Sequence, residues 1–355
     1  MISTIPPAHP PQPPTRLAEE AAHRIVRSST PIRTLDNVGE IAGIAVFPDR
    51  RRMATTSSDG ILRLWDLKRG IILNELEGRG DGIGSIALSQ DGQLIASIDH
   101  GGYINAWHGD TGRPLTQTIM PHANSVTSMD LSPDGATLAT GSCDGKTQLW
   151  NTASWEVQGQ PIDVTADPKR YWDPSNCVNC VRYSPSGELL AIATGMFIQI
   201  WNPSTRMHIT NLAQKGVSLV WMPDGTRLLS GADSFIRQWD SLTWTQVSDR
   251  KIRTDHPILV VNCNGTIVAS IVENHVRLWR LSDWRTIAIF QHSDSPRYIT
   301  FSMDGKHILA GSRNKISEWA VPEHAWPENA SKHQAMYQEL VSGPVIFYPF
   351  FISYV

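Results

Sequence analysis

The sequence lacks the features that mark disulfide scaffolds, membrane proteins and nucleic-acid-binding proteins. It has only four cysteines in 355 residues, and Cys143 and Cys263 stand alone, so we expect a reducing compartment. No apolar run reaches the roughly 18 residues of a spanning helix, and the amino terminus has no apolar stretch like a signal peptide. The sequence has Lys+Arg 31 against Asp+Glu 34, a net charge of -3. This charge gives no general indication of binding to nucleic acid or to an anionic membrane. The sequence therefore predicts a cytoplasmic chain without a membrane partner, with the nucleus as the alternative location. Nucleic acid is not the expected partner, and a nucleic-acid-associated protein, which stays as a further alternative, would need a basic ring on one face that net charge does not reveal.

Seven tryptophans recur along the chain, and a turn of similar chemistry precedes each one. The spacings between successive tryptophans are 42, 43, 51, 38, 40 and 40 for Trp65, Trp107, Trp150, Trp201, Trp239, Trp279 and Trp319. The turn reads Ser-Pro-Asp-Gly at residues 132–135, and Pro and Gly both suit a tight turn. Its third residue precedes the tryptophan by 15 or 16 residues in every copy. Two landmarks in register through seven copies predict seven repeats of short strands.

The residues around two of these tryptophans resemble a known repeat. The tract Ala139-Thr140-Gly141-Ser142-Cys143-Asp144-Gly145-Lys146-Thr147-Gln148-Leu149-Trp150-Asn151 looks like the end of a WD40 repeat, and so does Ser57 to Asp66. The resemblance covers residues 30–320 and implies an all-β, seven-bladed WD40 β-propeller around a central channel. Residues 1–29 are predicted to be a Pro-rich disordered segment with a short helix near Leu17 to Arg27. Residues 321–355 are predicted to be a tail with a short helix and an apolar end.

The ring of blades must close, because an open propeller would leave an unpaired sheet edge. Pro322 and Pro327 make the segment after Trp319 poor strand sequence. Residues 31–35 stand where the outer strand of the first repeat stands one repeat later. We therefore expect residues 31–35 to form the outer strand of the last blade.

The resemblance also implies a buried hydrogen-bond network in well-matched repeats. Only the third repeat has a full set, formed by His122, Asp144, Trp150 and either Thr140 or Ser142. The Asp-Gly turn before the tryptophan is altered in several other repeats. Repeats two, six and seven are therefore predicted to be the least typical blades.

The fourth repeat carries an insertion. Its tryptophan spacing exceeds that of its neighbours by about eight to ten residues, and repeat proteins place such insertions in loops on one face, often the binding face. The extra residues fall in Val164 to Asn176 and include Lys169, Arg170, Tyr171 and Trp172. Arg, Tyr and Trp dominate interface hot spots, so these four residues are predicted to bind a partner. The alternative is that the aromatic rings fold back onto the propeller.

Other motifs have simpler interpretations. Cys177-x-x-Cys180 is a single pair without further ligands, and repeat alignment places both cysteines on the first strand of blade four. Residues three apart on a strand point to opposite faces, so neither a metal nor a cofactor is predicted. Pro11, Pro14 and Arg16 fit the PxxP-plus-cation pattern that SH3 domains bind. Trp155, Trp244 and Trp284 either brace outer strands or form a second contact surface.

No catalytic constellation emerges from the sequence, so we expect a non-catalytic adaptor that binds other proteins through its loops, with no small-molecule substrate. One alternative is a sensor or substrate-receptor propeller in a regulatory or ubiquitin-ligase assembly. Trp65-Asp66-Leu67-Lys68 resembles the Trp-Asp-x-Arg motif of ligase receptors, with Lys in place of Arg. An alternative of another class is an enzyme with its site in the central channel, which perturbed pKa values at the channel would favour.

Overall fold

The computed structural model describes residues 25–36, 39–78, 82–99, 102–115, 119, 122–164, 176–232, 235–248 and 256–326. Two strands precede the first blade: β1 (Val26–Ser28) and β2 (Arg33–Asp36). Blades one to three contain β3 (Ile41–Val46), β4 (Arg52–Ser57), β5 (Ile61–Asp66), β6 (Ile71–Glu77), β7 (Ile83–Leu88), β8 (Leu94–Asp99), β9 (Ile104–His108), β10 (Val126–Leu131), β11 (Thr137–Ser142), β12 (Lys146–Asn151) and β13 (Ile162–Asp163). Blades four and five contain β14 (Val178–Tyr183), β15 (Leu190–Thr194), β16 (Ile198–Asn202), β17 (Met207–Leu212), β18 (Ser218–Trp221), β19 (Arg227–Ala232) and β20 (Phe235–Asp240). Blades six and seven contain β21 (His256–Val261), β22 (Ile267–Val272), β23 (His275–Arg280), β24 (Thr286–Gln291), β25 (Tyr298–Phe301), β26 (His307–Gly311) and β27 (Lys315–Ala320), and a 3-10 helix follows at Glu323–Ala325.

The strands form seven sheets, which are the blades of a β-propeller, and all strand pairs are antiparallel except the pair of β1 with β24. The first strands of successive blades contact one another, and β25 of blade seven contacts β3 of blade one, so the ring is closed. The predicted seven-bladed propeller is therefore confirmed, and all three repeats that depart most from the pattern form blades. None of the described residues forms a helix long and apolar enough to cross a membrane.

The Ser-Pro-Asp-Gly turn shows why each blade begins with the same hairpin. Ser132 Oγ donates to Asp134 Oδ1 at 2.5 Å, and Asp134 Oδ1 also accepts the Ala136 N–H at 3.0 Å. Gly135 closes the turn at a φ of 70°, a left-handed conformation that glycine adopts without a Cβ clash. The recurring turn sequence therefore encodes the recurring link between the first and second strands.

The amino-terminal strand β2 closes the ring, as predicted. It pairs antiparallel with β27 from Arg33 opposite Glu318 to Asp36 opposite Lys315. The Ile32 N–H donates to the Glu318 carbonyl at 2.8 Å, and Arg33 Nε donates to Glu318 Oε2 at 2.9 Å. Blade seven thus takes its outer strand from the start of the propeller sequence.

The segment just before β2 differs from its prediction. A helix was expected near Leu17 to Arg27, but Val26–Ser28 form the strand β1, which pairs in parallel with β24. Blade six therefore has five strands. The open edge of β24 offers backbone partners, and Val26 packs on the cluster between blades six and seven, so an extended conformation buries more than an isolated helix would. Residues 17–24 lie outside the described residues.

The core lies between the blades rather than within them. Each of the seven hydrophobic clusters among the described residues joins two neighbouring blades. Trp319, for example, stacks on Phe290 of blade six with ring centroids 5.6 Å apart. Since every blade is held by two interfaces, the stability of any blade depends on both of its neighbours.

The outer strand of blade three is shorter than predicted. A strand was expected near Glu156 to Gln160, but only an isolated bridge joins Trp150 to Val157 before β13 begins. Gly159 has a left-handed φ of 58°, and Pro161 has no N–H to donate, so the ladder is interrupted between them.

Trp155, Trp244 and Trp284 lie in the tight turns that follow the third strands. Their φ values are 60°, 56° and 58°, where the corresponding turns of blades one and two have glycine. All three side chains are half-buried and pack on clusters between blades. These contacts favour the bracing interpretation over a second contact surface.

Candidate partner-binding face

The strand directions give the propeller two distinct faces. We define the upper face by the turns between second and third strands and by the links from one blade to the next. The lower face carries the turns between first and second strands and between third and fourth strands. The two ends of the insertion, at Val164 and Asn176, and the predicted network of blade three lie on the upper face.

The structure brings the network residues of blade three into contact. His122 Nδ1 lies 3.0 Å from Asp144 Oδ2, and His122 Nε2 lies 2.9 Å from Thr140 Oγ1. Trp150 Nε1 donates to the same Thr140 oxygen at 3.0 Å. Thr140 therefore connects the histidine to the tryptophan, while the Ser142 hydroxyl accepts the Asp144 N–H at 3.0 Å.

Asp144 is the charged member of this network. Burial disfavours its ionised form, but the His122 contact and the N–H groups of Ala123 and Lys146 outweigh that effect, so the pKa of Asp144 is lowered from its ordinary value. Through these bonds the carboxylate joins the His122–Ala123 segment to the turn that contains Asp144 and Lys146. It therefore fixes the turn at Cys143 to Gly145 on the upper face.

That turn holds both ends of the insertion. At the start, the Val164 N–H donates to the Gly145 carbonyl at 3.0 Å, and the Val164 side chain is buried. At the end, Cys177 forms a disulfide with Cys143. The residues at the two ends of the insertion, Val164 and Cys177, are therefore fixed to one turn, and Asp144 holds that turn against His122.

The disulfide corrects two expectations about the cysteines. Cys143 does not stand alone, and Cys177 lies just before β14 rather than on it. Only Cys180 of the Cys-x-x-Cys pair is on the strand, as a buried free thiol between blades four and five. Repeat alignment placed Cys177 correctly in sequence, but it could not show that the next blade begins beside the Cys143 turn. The expected reducing compartment remains a prediction, and the pairing of Cys143 removes one of the two observations on which it rested.

Two groups of predicted site residues lie outside the described residues. They are the four insertion residues Lys169, Arg170, Tyr171 and Trp172, and the SH3-type residues Pro11, Pro14 and Arg16. Their interactions remain predictions.

Sequence reasoning missed a second network, in blade five. Trp239 Nε1 donates to Ser230 Oγ at 2.8 Å, and Ser230 Oγ donates to Gln214 Oε1 at 2.9 Å. Gln214 therefore takes the place that His122 has in blade three. Ser230 has the same position in its repeat as Thr140, and this position could have indicated the network from the sequence. A search for histidine does not find Gln214, which also lies closer in sequence to its tryptophan than His122 does.

Two charged residues with shifted pKa values lie on the first strands of blades three and four. Burial raises the pKa of Asp130, although Arg182 and the N–H of Tyr183 oppose the rise. Asp130 Oδ2 accepts the Tyr183 N–H at 2.8 Å, and Arg182 Nη1 donates to the Met129 carbonyl at 3.2 Å. Both side chains thus connect blade three to blade four. Among the described residues, no three of His, Cys, Asp and Glu are grouped to hold a metal ion.

Comparison with known proteins identifies the class. A family model described as "WD domain, G-beta repeat" matches residues 29–66, 113–151, 169–202 and 207–240. These ranges contain the tryptophans of repeats one, three, four and five, and repeats two, six and seven were those predicted to be least typical. With seven blades in a common register, the chain belongs to the WD40-repeat family.

Several curated proteins are similar to parts of this chain. The guanine nucleotide-binding protein subunit beta of Arabidopsis thaliana is 32% identical over 132 residues, which are 35% of this chain and 35% of that protein. The eukaryotic translation initiation factor 3 subunit I of Aspergillus fumigatus is 26% identical over 241 residues, 61% of this chain and 67% of that protein. Telomerase protein component 1 of Rattus norvegicus is 27% identical over 204 residues, 56% of this chain but 7% of that protein. The class defined by this fold and these relatives is the protein-interaction scaffold, which is generally non-catalytic.

Proposed function

We propose that this chain is a non-catalytic adaptor that holds a partner protein on its upper face, at the insertion between blades three and four. The observation that carries the proposal is the fixing of both ends of the insertion to the Cys143 to Gly145 turn. A loop with fixed ends loses less conformational entropy on binding than a free one. The Arg-Tyr-Trp sequence within the insertion supplies the residue types that dominate interface hot spots.

The names of two relatives support assembly with other proteins. The Arabidopsis and Aspergillus proteins are each called a subunit, so each belongs to a larger complex. This chain is expected to act in the same general way, with partners of its own. The expected location is the cytoplasm, with the nucleus as the alternative.

The test is capture of partners by the full chain with and without the insertion side chains. Replacing Arg170, Tyr171 and Trp172 together with Ala should abolish capture and leave the thermal midpoint unchanged. A matched control is Leu242→Ala on the lower face. Leu242 is 90% exposed, and its replacement should leave the capture of partners unchanged. Equal capture by the triple variant and the wild type would refute the proposed surface.

Cross-linking mass spectrometry locates the partner independently of mutation. Lys146 and Lys215 lie on the upper face, whereas Lys68 and Lys306 lie on the lower face. Cross-links from the partner to Lys146 and Lys215 support the proposal. Cross-links confined to Lys68 and Lys306 contradict it.

A further inference from the structure

The outer edge of blade one is long, open and apolar. Its strand β6 has seven residues, and no described strand pairs with its outer side. Ile71, Ile72 and Leu73 are 47%, 40% and 51% exposed. Open edges of this kind offer unpaired backbone groups to another extended chain.

The same molecule shows what such an edge accepts. In blade six the equivalent outer strand β24 is covered by β1, which adds a fifth strand in parallel. Three of the six residues of β24 are buried, whereas six of the seven residues of β6 are exposed. A propeller blade of this chain therefore can bind an added parallel strand on its outer edge.

The register of β1 on β24 can be transferred to β6. Ala288 pairs with the residue before the tryptophan of blade six, and Asn74 pairs with the residue before the tryptophan of blade one. Because Val26 lies opposite Ala288, an equivalent residue on blade one would lie opposite Asn74. The next residue, which corresponds to Arg27, would then lie opposite Glu75.

Glu75 gives that position a charge preference. Its side chain is half exposed, and its Oε1 accepts a bond from Arg63 Nε at 2.9 Å. Arg63 also binds Asp59, so Glu75 is not the sole partner of that guanidinium. An incoming basic residue would extend a row of alternating charges across three strands, whereas an acidic residue would be repelled.

We propose that the open edge of β6 docks an extended peptide in parallel, with an apolar residue opposite Asn74 and a basic residue opposite Glu75. Two copies of β6 are poor partners for each other, since both Glu75 and Glu77 would be brought to a shared edge. This surface is on the rim of the propeller and is separate from the proposed adaptor face. Either proposal can fail without the other.

Blade four provides a matched control edge. Its outer strand β17 is also open, and Asn211 occupies the position that Glu75 has in blade one. Met207 and Ile209 are exposed there, so β17 shares the apolar character of β6 but not its charge. A peptide that binds through backbone and apolar groups alone would use both edges.

The test uses a fluorescent peptide with residues 23–30 of this chain, His-Arg-Ile-Val-Arg-Ser-Ser-Thr, added to the full-length protein. Hydrogen exchange should slow in residues 71–77, and fluorescence anisotropy should show saturable binding. Glu75→Arg should weaken binding by about five- to tenfold, from the usual strength of cross-strand charge pairs. A peptide with the substitution Arg27→Glu should bind the Glu75→Arg protein with the affinity that the two unsubstituted partners have for each other. The control substitution Asn211→Arg in the protein should leave the affinity for the unsubstituted peptide unchanged.

Several results would overturn the proposal. They are an absence of binding at millimolar peptide, protection of residues 207–212 or 286–291 instead of 71–77, and equal affinity of the Glu75→Arg and wild-type proteins. Thermal midpoints show whether Glu75→Arg is folded. If it is not, Glu75→Gln must show a smaller loss of affinity in the same direction, and no loss would equally overturn the proposal.

Discussion

Ala310 occupies in blade seven the position that Thr140 occupies in blade three. Each lies two residues after the residue that pairs with the blade's tryptophan. In blade three the threonine hydroxyl joins histidine to tryptophan. In blade seven, His292 Nε2 and Trp319 Nε1 are both buried and have no hydrogen-bond partner among the described residues. The rings remain adjacent, with centroids 5.7 Å apart, so blade seven keeps the packing of the network without its hydroxyl.

Ala310→Ser should therefore stabilise the protein. A hydroxyl at this position can join the two nitrogens, and a buried hydrogen bond contributes about 1 kcal/mol net. Urea unfolding should show a higher midpoint. The control is Ala269→Ser, which buries a hydroxyl at a position away from the corresponding network site and should destabilise. Equal effects of the two substitutions would show that the nitrogens of blade seven gain nothing from the hydroxyl.

His292 should also make stability depend on pH. Burial lowers the pKa of His292 from its ordinary value of 6.5, although contacts with Asp294 oppose the shift. The unfolded chain then binds a proton more readily than the folded one, so stability is full above pH 6.5 and is lost as pH falls through the folded pKa. His292→Asn should flatten this slope in urea unfolding measured from pH 5 to 7.5. An unchanged slope in the variant would assign the effect to other groups.

Thr140→Val should destabilise blade three. The substitution keeps the shape of the side chain but leaves His122 Nε2 and Trp150 Nε1 without their shared oxygen, at a cost of about 1–3 kcal/mol. Thr140→Ser keeps the hydroxyl and serves as the control, with a smaller loss. The comparison is made by urea unfolding, and an equal loss for the two variants would mean that packing, not the hydrogen bonds, matters here.

Trp244 combines useful packing with an unfavourable backbone. Its ring meets Trp221 edge to face at 6.1 Å, but its φ of 56° is left-handed. Trp244→Ala should lose the packing and retain the backbone strain. Trp244→Gly should have a free energy of unfolding about 1 kcal/mol higher than that of Trp244→Ala, because glycine adopts this conformation freely. Urea unfolding of both variants gives the difference directly. A glycine variant less stable than the alanine variant would contradict this explanation.

The disulfide predicts a measurable effect of reductant. Cys143 and Cys177 are 34 residues apart, and closing a loop of that length stabilises by about 4 kcal/mol in the chain-entropy model. Reduction should lower the thermal midpoint of the wild type but not of Cys143→Ser. Alkylation of the unfolded, unreduced protein should modify only Cys180 and Cys263. Modification of all four cysteines would show that the bond is absent.

The blades could be predicted because the turns and strands of each repeat are determined by residues close together in its sequence. The Ser-Pro-Asp-Gly turn defines one hairpin within a few residues, and the tryptophan marks the third strand. The closure by β2 followed from the same periodicity, since the ring needed an outer strand that the end of the propeller sequence did not supply. These features depend on sequence distances that a repeat keeps constant.

The missing features depend on contacts between repeats. The Cys143 to Cys177 bond joins the end of one repeat to the start of the next, and nothing in either sequence marks the pair. Gln214 was overlooked because its amide oxygen makes the contact to the strand hydroxyl that a histidine nitrogen makes in blade three. Val26–Ser28 became a strand because of the open edge of β24, which lies far away in sequence.

The pairing of β2 with β27 has a consequence for synthesis on the ribosome. Residues 33–36 are made before the other strands of the ring, yet their partner at residues 315–320 is made after six further blades. The nascent chain must therefore keep this strand unpaired while six blades form behind it, and the ring is completed only when the strands of blade seven have been made. A chain truncated before residue 315 would remain an open ring with unpaired strands at both ends. A chaperone could recognise such a chain as incompletely folded.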